Sequence, residues 1–191
     1  MNKWNIYQKV LIPKIPPHIE INISEKEVKE LIKKNRAYFA RWISKWGMKE
    51  KSCFWYVIKN KKEDINDYKS KIRNQIKKGL KNCRVERIDK SVILNEGYEV
   101  YVSAFKRYIT FLKPLSENRF KEKILKNGEK IDYWEVFYNN KLIAYSLNFI
   151  HDNVCNYANT KFHPDYLRYR PSEAFFFKMN KYYLKKKCFI C

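Results

Sequence analysis

The stretch DYWEVFYNNKLIAYSLNFIHDNVCNYANT, residues 132–160, decides the fold. It holds three runs rich in aromatic and β-branched residues, DYWEVFY (132–138), LIAYSLNFI (142–150) and NVCNYANT (153–160), parted only by NNK and HD. Connections that short and polar join neighbouring strands as tight hairpins, so the stretch predicts a three-stranded antiparallel meander.

Downstream, KFHPDYLRYRPSEAFFFKMNKYYL (161–184) places a basic, proline-closed turn ahead of a helix from Ser172 to about Lys186. Phe175, Phe176, Phe177 and Met179 give that helix an apolar face with which to cover the meander. CFIC (188–191) reads as the opening of a further strand.

Upstream, Ile65, Tyr68, Ile72, Ile76 and Leu80 recur at helical spacing, with Lys69, Lys71, Arg73, Lys77, Lys78 and Lys81 on the remaining positions. A strongly basic amphipathic helix over 66–82 follows, and CRVERI (83–88) reads as a strand. Tyr98, Tyr101, Val102, Phe105, Tyr108, Ile109 and Leu112 set a second helix, which Pro114 is expected to end. SENRFKEKILKNG (116–128) predicts a short helix between a Ser116 cap and a Gly128 stop.

In the N-terminal third, IPKIPP keeps the first 23 residues irregular because proline lacks the amide donor. Ser24 and Glu27 form a capping-box pattern ahead of a helix expected over 24–44, and CFWYVI (53–58) reads as a buried strand. We expect residues 1–64 to be a helix–strand extension packed on a core of 65–191, the two forming one structural unit.

Composition bounds the function classes. The 191 residues are 45% hydrophobic and 17% aromatic, enough for a packed core, and no run of eighteen apolar residues marks a membrane span. The N-terminus has neither the apolar stretch nor the cleavage site of a signal peptide, so a cytoplasmic location is expected, with peripheral contact to a membrane left open. Five cysteines, Cys53, Cys83, Cys155, Cys188 and Cys191, predict reduced, mostly buried thiols, and the Cys188/Cys191 pair has no second pair to complete a metal site. A formal net charge of +21 favours an anionic partner: a phosphorylated small molecule, nucleic acid or an anionic membrane surface. Exposed lysines that merely solvate the surface account for the same excess.

From residue 83 the order is strand, helix, helix, three antiparallel strands, helix and strand start. This order, with SKIRNQIKKGLKNCRVERI before the first core strand and the basic turn after the third meander strand, resembles the GNAT acyltransferase superfamily, especially its Fem-type branch. The resemblance covers residues 65–191. It implies an α/β fold with a mixed, mostly antiparallel sheet flanked by helices, and it implies further C-terminal strands that this chain lacks. It also implies transfer of an acyl or aminoacyl group from an activated donor, such as an acyl-coenzyme A, to an amine; the Fem-type branch points to cell-envelope or surface-polysaccharide precursors as acceptors. With the last strands missing, the resemblance leaves open whether the chain is active or a truncated remnant.

Candidate site residues follow. A helix start with free amides attracts anions, so Arg168, Arg170 and Ser172 are expected to bind the donor's phosphates. The resemblance adds the strand segment from Asn159 to Phe162, whose backbone would polarise the donor's carbonyl. The loop lacks the glycines usual at such a site, and Glu173 sets a negative charge beside it. Glu135 and His151 are the candidate proton acceptors. Arg73, Lys77 and Lys78 are the candidate acceptor or anion contacts. The alternative is a basic nucleic-acid-binding or membrane-associated protein without catalysis, in which the 66–82 helix meets phosphates and Trp42, Trp46 and Tyr169 stack on bases.

Overall fold

A computed structural model describes residues 4–7, 9–16, 19–45, 48–50, 58–126 and 130–190. The chain divides into two compact units, residues 1–57 and 58–190.

In the first unit, β1 (Trp4–Tyr7) and β2 (Val10–Pro13) form an antiparallel hairpin, and β3 (Phe39–Ala40) joins β2 in parallel. Helix α1 (Glu25–Lys34) has the expected capping box, the Glu27 amide donating to the Ser24 hydroxyl and the Ser24 amide to the Glu27 carboxylate. It stops at Lys34, well short of the expected end. Asn35 caps it and Arg36 turns left-handed at φ 49°, which releases Phe39 and Ala40 to pair with β2. Of the expected strand CFWYVI, residues 53–57 lie outside the described residues.

The second unit is built on a five-stranded sheet in the order β4 (Arg84–Ile88), β5 (Ile131–Tyr138), β6 (Lys141–His151), β7 (Val154–Phe162) and β8 (Phe189–Ile190). The first four are antiparallel and β8 joins β7 in parallel, so the expected mixed, mostly antiparallel sheet is present. The meander turns at Asn139 and Asn140, φ 47° and 61°, as a two-residue hairpin of the twist-matched kind requires.

Side chains alternate between the two faces of the sheet. On one face Trp134, Val136, Ala144 and Cys155 pack against α5 (Pro171–Lys185) through Phe175, Met179, Tyr183 and Leu184. Helix α2 (Ser70–Asn82) lies on α5 in turn, seating Ala174 against Gly79. On the other face Tyr133, Phe137, Leu142, Tyr145 and Leu147 pack against α3 (Ser91–Phe105) and α4 (Glu117–Leu125) through Ile93, Val100, Phe120 and Ile124.

Two expected boundaries move. Helix α3 spans 91–105 rather than reaching Leu112, because its buried face is Ile93, Gly97, Val100 and Ala104; beyond these the chain leaves the sheet, and Ile109 and Phe111 stand fully exposed. The start of α5 falls at Arg170, a left-handed residue at φ 62°, followed by Pro171 in the first turn, where the missing amide costs nothing. Helix α4 starts where expected, with Ser116 at its N-cap, although the Ser116 hydroxyl makes no capping bond; Gly128 lies outside the described residues.

Candidate active site

The two sheet faces treat their buried polar groups differently. On the α5 face a continuous chain of bonds links the strands. The Ser146 hydroxyl lies 2.7 Å from the Thr160 hydroxyl and donates to Asn148 Oδ1 at 2.6 Å. Asn148 and the Trp134 indole both donate to the Tyr183 hydroxyl, at 3.3 and 2.8 Å. Tyr183 donates to Asp132 at 2.9 Å, and Arg87 closes the chain on the other Asp132 oxygen at 2.8 Å. Every member has a partner, as buried polar groups require.

The α3 face departs from that rule. Glu135 pairs in register with Glu86 on β4 and with Tyr145 on β6, and Tyr145 pairs with Lys161 on β7. A transverse row, Glu86–Glu135–Tyr145–Lys161, therefore crosses four strands on one face. Glu135 and Tyr145 are wholly buried, and among the described residues neither Glu135 carboxylate oxygen nor the Tyr145 hydroxyl has a hydrogen-bond partner. Burial pushes the Glu135 carboxyl up to about 8, and the negative charges of Glu96, Asp89 and Glu86 push in the same direction against the weaker pull of Arg84. Burial likewise drives the Tyr145 hydroxyl far upward.

The outer end of the row leads to charged groups. Lys161 donates to the Tyr108 hydroxyl at 2.8 Å and sits over its ring. Two residues on, His163 is buried where β7 enters a 3₁₀ turn, Pro164–Tyr169. Its Nδ1 accepts from the Asp165 amide, and its Nε2 lies 3.8 Å from Glu99, which also holds Lys141 at 2.7 Å. Earlier on β7, ahead of Lys161, the β6/β7 register steps at Leu147/Asn148 and leaves Ala158 as a bulge, a device that re-aims a strand.

The expected site residues fall into separate places. Glu135 is in the row. His151 lies at the opposite end of β6, about 20 Å along the strand from Tyr145, with its Nδ1 3.2 Å from Asp152. Asn159, in register with Leu147, belongs to the α3 face, whereas Phe162 packs edge-on against Phe175 in the core of the other face. Arg170 and Ser172 both bind Glu173, at 3.2 and 2.6 Å, so the protein's own carboxylate occupies the groups expected to meet a donor phosphate. Arg168 lies over the Tyr169 ring, and Tyr169 stacks on Tyr138 at 4.1 Å. Trp42 meets Trp4 edge-on at 6.2 Å, and Trp46 lies outside the described residues. Arg73, Lys77 and Lys78 ride on α2, whose Gly79 touches the Arg170 carbonyl at the α5 entrance. Among the described residues no group of three or more potential metal ligands gathers.

Tyr145 and His163 join this candidate site without having been singled out in the sequence, and Lys161 enters it by its side chain, where the sequence pointed only to the backbone of the 159–162 segment. His163 carried one signal, its position directly before Pro164 in the turn that follows the predicted strand.

No protein-family model matches the sequence, and no curated protein matches it. Solved structures do. FemX superposes with a TM-score of 0.52 at 10% identity, covering 66% of this chain and 48% of its own. Residues 58–190 have a GNAT-like fold. The ribosomal-protein-S18-alanine N-acetyltransferase of Escherichia coli is similar at a TM-score of 0.43 and 18% identity, over 55% of this chain and 61% of its own. The PaiA N-acetyltransferase of Thermoplasma acidophilum, solved with coenzyme A, is similar at 0.45 and 14%, over 56% of this chain and 74% of its own. The chain thus spans about half the length of FemX. β7, the turn at 164–169 and α5 follow one another as the strand, basic turn and helix read from the sequence.

Proposed function

We propose that the protein is an acyltransferase that moves an acyl or aminoacyl group from an activated donor to an amine, with Glu135 as the proton acceptor. The observation that carries this reading is the contrast between the two faces. One buried polar chain is fully bonded, while Glu135 and Tyr145, adjacent in register, hold three buried polar atoms without partners among the described residues. A carboxyl left unpartnered and raised to about 8 costs stability and matches the demand of a general base working near neutral pH.

In the proposed reaction the amine nitrogen attacks the donor carbonyl. The new C–N bond forms as the C–S bond of a thioester donor breaks, and the thiolate leaves. The proton lost by the amine passes to the Glu135 carboxylate. In this reading Lys161 and His163 face the acceptor, and the backbone of the 159–162 segment, which follows the bulge at Ala158, polarises the donor carbonyl. Arg168, Arg170 and Ser172 take the donor's phosphates when Glu173 gives way. Acyl-coenzyme A is the donor we favour, and an amine of a cell-envelope or surface-polysaccharide precursor is the acceptor class.

Thiol release from acetyl-coenzyme A with a panel of primary amines tests the reading. Glu135→Gln is expected to lower kcat by about a hundredfold or more while leaving the calorimetric affinity for coenzyme A unchanged. Equal kcat in the two proteins would remove Glu135 from the reaction.

A further inference from the structure

The connection from α3 to α4 carries an apolar tip held out into water. Ile109 and Phe111 are completely exposed, and Tyr108 and Leu112 are about half exposed. The tip is not a slack loop. Tyr108 is fixed at one end by the Lys161 ammonium. At the other end Leu115 is clamped twice, its amide donating to the Tyr101 hydroxyl at 2.9 Å and its carbonyl accepting from Tyr98 at 3.0 Å. The Leu112 amide folds back onto the Thr110 hydroxyl at 3.2 Å, closing a turn between the two apolar side chains.

The bonds at both ends hold these side chains outward, and contiguous exposed apolar groups of this kind mark interaction surfaces. The charge around the tip identifies the partner. Lys106 and Arg107 precede it and Lys113 follows it, and no carboxylate occurs between Glu99 and Glu117. An isoleucine, a phenylalanine and a leucine at the apex, a tyrosine at the shoulder and cations at the base reproduce the layering of acyl chains, interface and anionic headgroups. Among the described residues no helix is long and apolar enough to cross a membrane.

We infer that residues 106–113 form a wedge that docks the protein on an anionic lipid surface, Ile109 and Phe111 entering the acyl layer and Lys106, Arg107 and Lys113 meeting headgroup phosphates. The inference is independent of the proposed acyl transfer.

Vesicle flotation of the full chain tests it, with vesicles of phosphatidylcholine alone and vesicles containing about one-third phosphatidylglycerol. The wild type is expected to float with the anionic vesicles and not with the neutral ones. Ile109→Ser/Phe111→Ser is expected to bind at least about tenfold more weakly, with an unchanged circular dichroism spectrum and melting curve, because neither side chain packs on the fold. Lys106→Glu/Arg107→Glu is expected to abolish binding at moderate salt. Wild-type binding by the Ile109→Ser/Phe111→Ser variant would overturn the wedge and leave general adsorption of a basic protein. Failure of the wild type to bind anionic vesicles would overturn it also, and self-association that the same variant abolishes would then assign the tip to a second copy of this chain.

Discussion

Gly79 of α2 and Ala174 of α5 lie so close that a β-carbon built on Gly79 would come within 2.8 Å of the Ala174 Cβ and collide with the Arg170 carbonyl oxygen. This approach seats the basic helix on the turn that leads into α5. In an ordinary helix interior, glycine to alanine stabilises by about 1 kcal/mol. Here the obstacle is backbone at a helix start, so Gly79→Ala is expected to destabilise by about 1–3 kcal/mol in urea unfolding. A stabilised variant would show that the two helices separate readily.

Glu135 predicts an unusual pH dependence of stability. Its native value of about 8 lies above the ordinary 4.5, so the folded chain holds a proton that the unfolded chain has released. That contribution is complete below about 4.5 and is lost as pH rises to about 8, at about 1.4 kcal/mol per pH unit within the window. Glu135→Gln has no such slope. It is expected to match the wild type near pH 4.5 and to exceed it by on the order of 4 kcal/mol near pH 8, read as a difference in urea midpoints. Parallel pH profiles of the two proteins would mean that the carboxyl is solvated.

Much of this architecture is written in local sequence. The alternation between 132 and 160, the Asn139–Asn140 turn and the phenylalanines of α5 all act between near neighbours, and the structure follows them. The ends of α1 and α3 are less legible: α1 stops at the Asn35 cap and the left-handed Arg36, and α3 where its buried face runs out, neither of them at a proline or glycine. The row from Glu86 to Lys161 is less legible still. Its alignment depends on the registers of three strand pairs and on the bulges at Ile143 and Ala158, and no single strand records those offsets. Glu135 therefore drew attention as a strand carboxylate, while its partner Tyr145 read as one more core aromatic.

The α5 entrance gives a prediction in both directions. Arg168→Ala/Arg170→Ala is expected to weaken coenzyme A binding by about two orders of magnitude, if each guanidinium takes a phosphate oxygen. Glu173→Ala, which frees Arg170 and Ser172 from their internal carboxylate, is expected to strengthen it. Titration calorimetry with coenzyme A distinguishes these outcomes, and unchanged affinity in both variants would leave the entrance a structural cap.

The exposed charges of α2 are expected to be separable from folding. Lys77→Glu/Lys78→Glu is expected to shift stability by no more than about 0.5 kcal/mol, since both side chains are exposed. A salt-dependent loss of acceptor binding in an otherwise stable variant would place α2 in the site.

The pH profile of acyl transfer tests the central claim most directly. Thiol release from acetyl-coenzyme A, with a primary amine as acceptor, is to be followed from about pH 6 to about pH 9 in the wild type and in Glu135→Gln. The account predicts a wild-type kcat that rises through about pH 8 as Glu135 loses its proton, and a Glu135→Gln variant slower by about a hundredfold in which that limb is missing. Profiles of the same height and shape in both proteins, or no thiol release from the wild type with any amine, would contradict it.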